Sequence, residues 1–182
     1  MPTLRSTWTL WCAATVATAV PAAAQNGADK ARPAIDKSWL SFDAATKTAT
    51  FQLVAGLTGL NGALNFNGYR DGELVFVVPA GWTTVIKFVN HDGMLPHSAE
   101  IIPDQDPVPQ GPVDAAIPRA YTTHLAEGLP PQGKDTMRFT AQPPGKYRIF
   151  CAVPGHGLTG MWIRLEVSAT AKEPSIVAHP PK

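Results

Sequence analysis

Four side chains in the second half of the chain are of the types that hold copper in electron-transfer sites. Cys151, His156 and Met161 follow one another with four residues between each pair, and His97 lies upstream in a Pro-His-Ser sequence. Two imidazoles and a thiolate in a trigonal plane, with a weakly bound axial thioether, form a mononuclear copper site that transfers electrons. The sequence therefore predicts one type 1 copper ion held by His97, Cys151, His156 and Met161.

Each of these residues taken alone has an ordinary structural explanation. A lone cysteine or methionine is most often a buried apolar side chain, and a lone histidine is most often a polar surface residue. Their order along the chain, with a Pro-Gly turn between the cysteine and the next histidine, favours the copper site. His91 competes with His97, but its Asn-His-Asp-Gly turn favours a solvated side chain. Ser98 is expected to join the two ligand loops through its hydroxyl.

The first 24 residues have the composition of a secretory signal peptide. Arg5 precedes an apolar run over 8–20, and the alanine triplet at 22–24 matches a small-residue cleavage pattern. The run is shorter than the roughly 20 residues that a membrane-spanning helix needs, and a retained N-terminal membrane anchor is the alternative. We therefore predict a secreted or periplasmic protein that begins near residue 25. Cleavage would remove Cys12 and leave Cys151 without a disulfide partner.

The overall charge argues against a nucleic acid partner. Charged residues make up 16% of the chain and the formal net charge is +1, which loss of Arg5 would bring to zero. A nucleic-acid-binding domain usually carries a strong basic field, which this composition does not supply. The 182 residues and the apolar fraction of 45% are enough for one domain with a buried core. We expect this domain to be a monomer.

Short strands separated by Gly and Pro turns account for most of the remaining sequence. Apolar and β-branched patterns predict strands at 48–53, 73–79, 82–90, 97–102, 136–140, 146–151 and 161–168. No segment has the periodicity of an amphipathic helix of several turns. These patterns predict an all-β protein, an antiparallel sandwich or barrel.

Three segments depart from the strand pattern. Residues 25–36 and 169–182 are predicted to be a flexible lead-in and a flexible tail. The domain over 37–168 is interrupted by a proline-rich insertion at 103–135 that has no long strand pattern. A segment of that length is usually functional or disordered. We favour a proline-stiffened surface loop over a partner-docking segment.

Residues 37–168 resemble the cupredoxins, and among them the sulfocyanin family, with rusticyanin as a nearer cousin than plastocyanin or azurin. The likeness rests on Leu-Asn-Phe-Asn-Gly at 64–68, Pro-Ala-Gly-Trp at 79–82, Phe-Val-Asn at 88–90, Pro-His-Ser at 96–98 and the copper loop over 150–162. The resemblance implies a Greek-key antiparallel β-sandwich, cupredoxin-like, with one type 1 copper bound by the four residues named above. It also implies a small electron carrier of a respiratory chain. Sulfocyanins are often anchored to the membrane, and the predicted cleavage after residue 24 departs from that.

The predicted function is that of a periplasmic or extracytoplasmic one-electron shuttle. A cytochrome or copper-containing donor would reduce the protein, and a terminal oxidase or reductase would accept the electron. The membrane would be reached only through such partners or through an uncleaved N-terminal segment. The edge of His156 is the expected electron port, surrounded by an apolar docking patch of Met94, Leu95, Pro96 and Leu158.

Two other functions use the same kinds of ligand. A copper enzyme is not expected, because four protein ligands leave no open position for a substrate. The five histidines are also too few for a multicopper oxidase, or for a nitrite reductase with a second, all-histidine site. A copper-binding chaperone or storage module without an electron-transfer role is the alternative that remains.

Overall fold

Two β-sheets stacked face to face form the body of the protein. The computed structural model describes residues 32–180, where nine strands are joined by loops and two short 3-10 helices, Lys37–Trp39 and Gly157–Thr159. The strands in chain order are β1 (Leu40–Asp43), β2 (Thr48–Ala55), β3 (Leu74–Pro79), β4 (Thr83–Asn90), β5 (Glu100–Pro103), β6 (Lys134–Thr140), β7 (Gly145–Phe150), β8 (Trp162–Ser168) and β9 (Ser175–Ala178). One sheet has the order β1-β2-β4-β6 and the other the order β5-β7-β8-β3-β9.

The alternating side chains of β2 show how the sheets bury a common core. Ala49, Phe51, Leu53 and Ala55 are fully buried, while the residues between them are half-buried. Phe51 stacks on Phe76 of β3 in the opposite sheet, with ring centroids 4.6 Å apart. Such stacked pairs contribute about 0.5–1.5 kcal/mol beyond the burial of their surface. The predicted all-β, cupredoxin-like sandwich is confirmed.

Most neighbouring strands run antiparallel, but each sheet contains one parallel pair. β2 pairs with β4 in the first sheet, and β3 pairs with β8 in the second. Parallel neighbours need a crossover connection, and here the chain crosses to the other sheet as β3 before it returns as β4. The sheets are therefore mixed, where the sequence pattern predicted antiparallel pairing throughout.

The ends of the predicted strands agree with the structure to within two residues, except at one strand beside the candidate site, which begins three residues later than predicted. β5 begins at Glu100, not at His97, because His97 forms an isolated bridge with Leu129 instead. β1 and β9 were not predicted, since their side chains are mostly exposed and do not alternate between buried and exposed positions.

Parts of the two segments predicted to be flexible are held against the sandwich. β9, within the predicted tail at 169–182, pairs antiparallel with β3. In the predicted lead-in at 25–36, the Arg32 guanidinium forms an ion pair with Glu73 at 2.6 Å. The hydroxyl of Tyr69 donates to the carbonyl of Pro33. Strand pairing and a nearly buried ion pair are long-range contacts, which composition alone does not reveal.

The predicted signal peptide at 1–24, together with Cys12, lies outside the described residues. Within residues 32–180, none of the helices is both long enough and apolar enough to span a membrane.

The proline-rich insertion is packed onto the sandwich and is not a detached loop. The residues between β5 and β6 form no strand of their own, but Tyr121 and Leu129 make isolated bridges to Glu100 and His97. Ile117 is buried in the main core, as is Leu129. The insertion therefore covers one edge of the second sheet and reaches the segment that carries His97.

Candidate metal centre

Three of the four predicted ligands belong to the loop that joins β7 to β8. Cys151 directly follows β7 and Met161 directly precedes β8. The Cys151 N–H donates to the Met161 carbonyl at 3.0 Å, and the Met161 N–H donates to the His156 carbonyl at 3.2 Å. Gly155 and Gly160 have φ angles of 86° and 94°, which glycine adopts without strain. The antiparallel strands thus close the loop and place its two ends side by side.

His97 lies in the connection between β4 and β5, and the insertion fixes its backbone. Its N–H donates to the Leu129 carbonyl at 3.1 Å, and its carbonyl accepts from the Leu129 N–H at 2.7 Å. Gly128 has a φ of 73°, and a Cβ atom there would lie 2.8 Å from the His97 nitrogen and 2.8 Å from Cγ2 of Val153. Glycine is therefore needed where the insertion passes between the two ligand loops.

The donor atoms of His97, Cys151 and His156 converge on one small volume. The Cys151 Sγ lies 3.5 Å from Nδ1 of His156 and 3.9 Å from Nδ1 of His97. All three donor atoms lie within 4.8 Å of one another, and no other cluster of three or more His, Cys, Asp or Glu side chains in residues 32–180 converges in this way. Metal bonds of about 2.0–2.3 Å to nitrogen and sulfur fit these spacings.

Met161 is fully buried. Its backbone is hydrogen-bonded to both Cys151 and His156, so its Cα atom lies close to the backbones of these two predicted ligands. A buried, flexible thioether suits the weak axial position of a copper site. The assignment of Met161 as a ligand stays a prediction.

Burial favours the neutral form of both histidines, although they are exposed to different degrees. His97 is fully buried, whereas His156 is half-buried, and the ring centroids lie 5.2 Å apart. Burial lowers the pKa of His97, although the Asp92 carboxylate acts in the opposite direction. Burial also lowers the pKa of His156, and His97 adds to that effect. Neutral imidazoles keep a lone pair for a metal ion.

The sulfur atom is enclosed by backbone donors. Burial raises the pKa of the Cys151 thiol to about 11, although N–H groups of Ser98 and Val153 work against this rise. The Ser98 N–H lies 3.4 Å from Sγ. The Ser98 hydroxyl accepts from the Ala152 N–H at 3.2 Å and donates to the Leu125 carbonyl at 2.8 Å. The predicted link between the ligand loops is confirmed, and a bound cation would favour the thiolate form of this buried sulfur.

The structure adds one residue that the sequence pattern did not predict. The Oδ2 atom of Asp92 lies 3.0 Å from Nε2 of His97, the ring nitrogen that faces away from Cys151. Burial raises the pKa of Asp92, but hydrogen bonds from Met94, His97 and Leu95 outweigh burial and bring the pKa below its ordinary value. An Asp-Gly turn five residues before a predicted ligand was the available signal, and it was interpreted only as a turn.

The residues around the site divide into solvated and apolar groups. His91 is exposed and lies outside the donor group, in agreement with its interpretation as a turn residue. Met94 is 85% exposed, Leu95 37% and Leu158 55%. These three residues, here called the apolar rim, belong to the loops that carry His97 and His156.

Comparison with known proteins agrees with this geometry. The sulfocyanin (SoxE) domain matches residues 36–178 of the chain. The chain belongs to the sulfocyanin family. It is 27% identical to the sulfocyanin of Sulfolobus acidocaldarius over 147 residues, which cover 75% of this chain and 71% of that protein. It is 32% identical to the rusticyanin of Acidithiobacillus ferrooxidans over 95 residues, which cover 50% of this chain and 57% of that protein.

Solved structures support the same fold. A crystal structure of rusticyanin variants aligns with a TM-score of 0.56 at 21% identity, covering 79% of this chain and 91% of that one. The predicted resemblance to sulfocyanins and rusticyanin is confirmed. Family and donor set together indicate a blue copper electron-transfer protein with a single type 1 copper ion as its cofactor, as predicted.

Proposed function

We propose that the chain carries single electrons between redox proteins outside the cytoplasm, with copper held by His97, Cys151, His156 and Met161. The observation that carries this proposal is the convergence of one sulfur and two imidazole nitrogens within 4.8 Å in a largely buried site. A bound copper ion supplies a one-electron couple, since sulfur suits Cu(I) and imidazole suits both oxidation states. The surrounding hydrogen bonds hold the donors in place, so a change of charge needs little rearrangement.

The route for the electron passes through His156. Its ring contacts the Cys151 sulfur on one side, and the residue is half-buried while the other two donors are fully buried. The loops that carry the two histidines also carry the apolar rim, whose Met94, Leu95 and Leu158 are exposed to solvent. A partner that covers the rim would bring its own redox centre close to the ring of His156.

The partners we propose are a cytochrome or copper-containing donor and a terminal oxidase or reductase acceptor. With Arg5 removed, the formal charge of the chain would be zero, so the apolar rim would contribute more to docking than long-range steering. A small, weak interface suits a monomeric shuttle that must leave each partner quickly. The location in the periplasm or at the cell exterior rests on the signal-peptide composition of residues 1–24.

Spectroscopy with redox titration of the copper-loaded chain tests the proposal. We expect an intense visible band from sulfur-to-copper charge transfer, narrow copper hyperfine splitting in the EPR spectrum, and one reversible one-electron step. His97→Ala should abolish these signals, whereas His91→Ala, a substitution of an exposed neighbouring histidine, should preserve them.

The same experiment separates the shuttle from a copper chaperone or storage module. A colourless chain that binds only Cu(I), or that binds zinc in preference, would contradict electron transfer and favour the module. A blue chain that exchanges electrons with a small-molecule reductant but releases copper on reduction would also contradict the shuttle.

A further inference from the structure

Three contacts hold the carboxylate of Asp92 in one orientation, and a fourth holds its backbone. Its Oδ1 atom accepts from the N–H groups of Met94 at 2.8 Å and Leu95 at 3.2 Å. Its own N–H donates to the side-chain oxygen of Asn90 at 3.0 Å. The remaining oxygen, Oδ2, lies 3.0 Å from Nε2 of His97. Asp92 is 7% exposed and His97 is fully buried, so water does not compete freely for this contact.

Asn90 extends this arrangement to the insertion. Its Nδ2 group donates to the carbonyls of Leu95 at 2.8 Å and Leu129 at 2.9 Å. Leu129 in turn forms the bridge with His97. The backbone and the outer ring nitrogen of His97 are therefore fixed by neighbouring parts of one hydrogen-bonded network. Neither the position nor the rotation of the ring is free to change on its own.

A carboxylate opposite Nε2 determines which ring nitrogen of His97 carries the proton. A neutral imidazole has one N–H group and one lone pair, and an ionised carboxylate can only accept a hydrogen bond. The proton must therefore stand on Nε2, which leaves the lone pair on Nδ1. That Nδ1 atom is the one that faces the Cys151 sulfur at 3.9 Å.

We propose that Asp92 is a positioning residue that fixes the metal-binding tautomer of His97 and, through its charge, stabilises Cu(II) relative to Cu(I). This inference rests on the proposed function, because it assigns a role at the same copper site. Carboxylate partners of metal-bound histidines orient the ring and increase its basicity, and their loss typically lowers metal affinity about 10–100-fold. A nearby negative charge favours the more positive ion.

Asp92 also closes a turn, and the test must separate this structural role from the proposed one. In Asp92→Asn, the side-chain oxygen can still accept from Met94 and Leu95, while an NH₂ group replaces Oδ2. Because an NH₂ group donates, Nε2 of His97 must accept from it and the ring proton moves to Nδ1, where copper would bind. A rotated amide would place its NH₂ group against two backbone N–H donors, so rotation does not relieve the conflict.

Asp43→Asn is the matched control. The Oδ1 atom of Asp43 accepts from the N–H groups two and three residues later, as Asp92 does, with partners Ala45 at 2.9 Å and Thr46 at 3.3 Å. Asp43 pairs with Thr48 at the start of β2, and Thr48 pairs with the start of β4, whereas the segment that carries Asp92 and His97 follows the end of β4. The control removes the same charge and alters the same kind of turn at the far end of the sheet.

The first measurement is the potential and copper affinity of the loaded full-length chain. For Asp92→Asn we expect the Cu(II) affinity to fall about 10–100-fold. The potential should rise by about 59 mV for each tenfold fall in the ratio of Cu(II) affinity to Cu(I) affinity. Asp43→Asn should leave both quantities unchanged. Asp92→Ser, whose hydroxyl can close the turn without placing a donor opposite Nε2, should raise the potential but lose less affinity.

The second measurement reads the tautomer directly. Nitrogen chemical shifts of His97 in the copper-free full-length chain should show the proton on Nε2 in the unsubstituted protein and on Nδ1 in Asp92→Asn. Unchanged shifts and an unchanged potential in Asp92→Asn would overturn the proposal and leave Asp92 as a turn residue. If the substitution prevents folding, Asp92→Ser decides, since a potential equal to that of Asp43→Asn would refute the role of the charge. A colourless unsubstituted chain would instead refute the proposed function, while the nitrogen shifts would still report on His97.

Discussion

The two histidines of the copper site both face the Cys151 sulfur through Nδ1, but they differ in burial and in what supports the ring. His97 is fully buried, hydrogen-bonded to Asp92 and fixed by the insertion, while His156 is half-buried at the apolar rim. Among residues 32–180, the His156 ring makes its hydrogen-bond contact through Nδ1, to the Cys151 sulfur, and none through Nε2. His97 is thus rigidly supported and closed to solvent, whereas His156 is accessible to solvent and less supported.

Removal of the shared sulfur should have the largest effect on this arrangement. Cys151→Ser should abolish the intense visible band, because the charge transfer that produces it starts from the thiolate. Absorption and EPR spectra of the copper-loaded variant measure this. A blue variant would mean that another residue supplies the sulfur, and the two histidines would then not share Cys151 as the third ligand.

Glycine substitution at each histidine tests the difference in access. His156→Gly should open a hole to solvent, and we expect added imidazole to enter it and restore most of the blue band. His97→Gly should stay colourless under the same conditions, because its cavity is closed by the insertion and Asp92. Equal recovery in the two variants, measured by titration with imidazole, would show that burial does not distinguish the two positions.

Glu100, three residues after His97, carries a buried carboxyl group with few hydrogen-bond partners. Glu100 is fully buried, accepts from the Val113 N–H at 3.3 Å through Oε2, and has no partner for Oε1 within the described part of the chain. Burial raises its pKa from 4.5 to about 7, although the Val113 N–H lowers it, and Asp114 contributes a further rise. The folded protein therefore retains a proton that the unfolded chain releases.

This shift makes stability depend on pH. Below pH 4.5 both states are protonated, and between 4.5 and about 7 only the folded state keeps the proton. Stability should therefore fall by up to about 3 kcal/mol as the pH rises through this window. Glu100→Gln should remove that fall in urea unfolding of the copper-loaded protein, whereas Glu166→Gln, at a half-buried position on β8, should retain it. Identical pH profiles would contradict the assignment.

Substitution at the axial position should change the potential without loss of the blue colour. Met161→Gln should lower the potential and Met161→Leu should raise it, each by an amount on the order of 59 mV, a tenfold change in the ratio of affinities. Voltammetry of the loaded variants measures the shifts. If neither variant moves the potential, Met161 is not a ligand and the site consists of the three converging donors.

The smallest expected effect is that of salt on electron exchange. Because the formal charge of the mature chain would be zero and exposed apolar residues lie on both ligand loops, added salt should change the exchange rate little. Leu158→Asp should slow the exchange and make it depend on salt. Stopped-flow kinetics with a redox partner measures both, and a steep salt dependence of the unsubstituted protein would contradict an apolar contact.

Features that depend on nearby residues were predicted from the sequence, whereas features that depend on contacts between distant segments were not. The β7–β8 loop lies within one hairpin, so its donors could be recognised from spacing and residue type. Alternation along β2 likewise revealed its buried face. The parallel pairs, β9 and the bridge between His97 and Leu129 depend on segments far apart in sequence, and exposed edge strands show little alternation. Asp92 escaped recognition because an acidic residue in a turn is ordinarily solvated.

Gly128 shows how little of the site's geometry is determined by the ligands themselves. Even a methyl group at this position would press on the backbone of His97 and on Val153 at 2.8 Å. The spacing between the segments that carry His97 and Cys151 therefore depends on the lack of a side chain at Gly128, which is not itself a ligand. A residue that does not touch the metal thus limits how closely the ligand loops can approach each other.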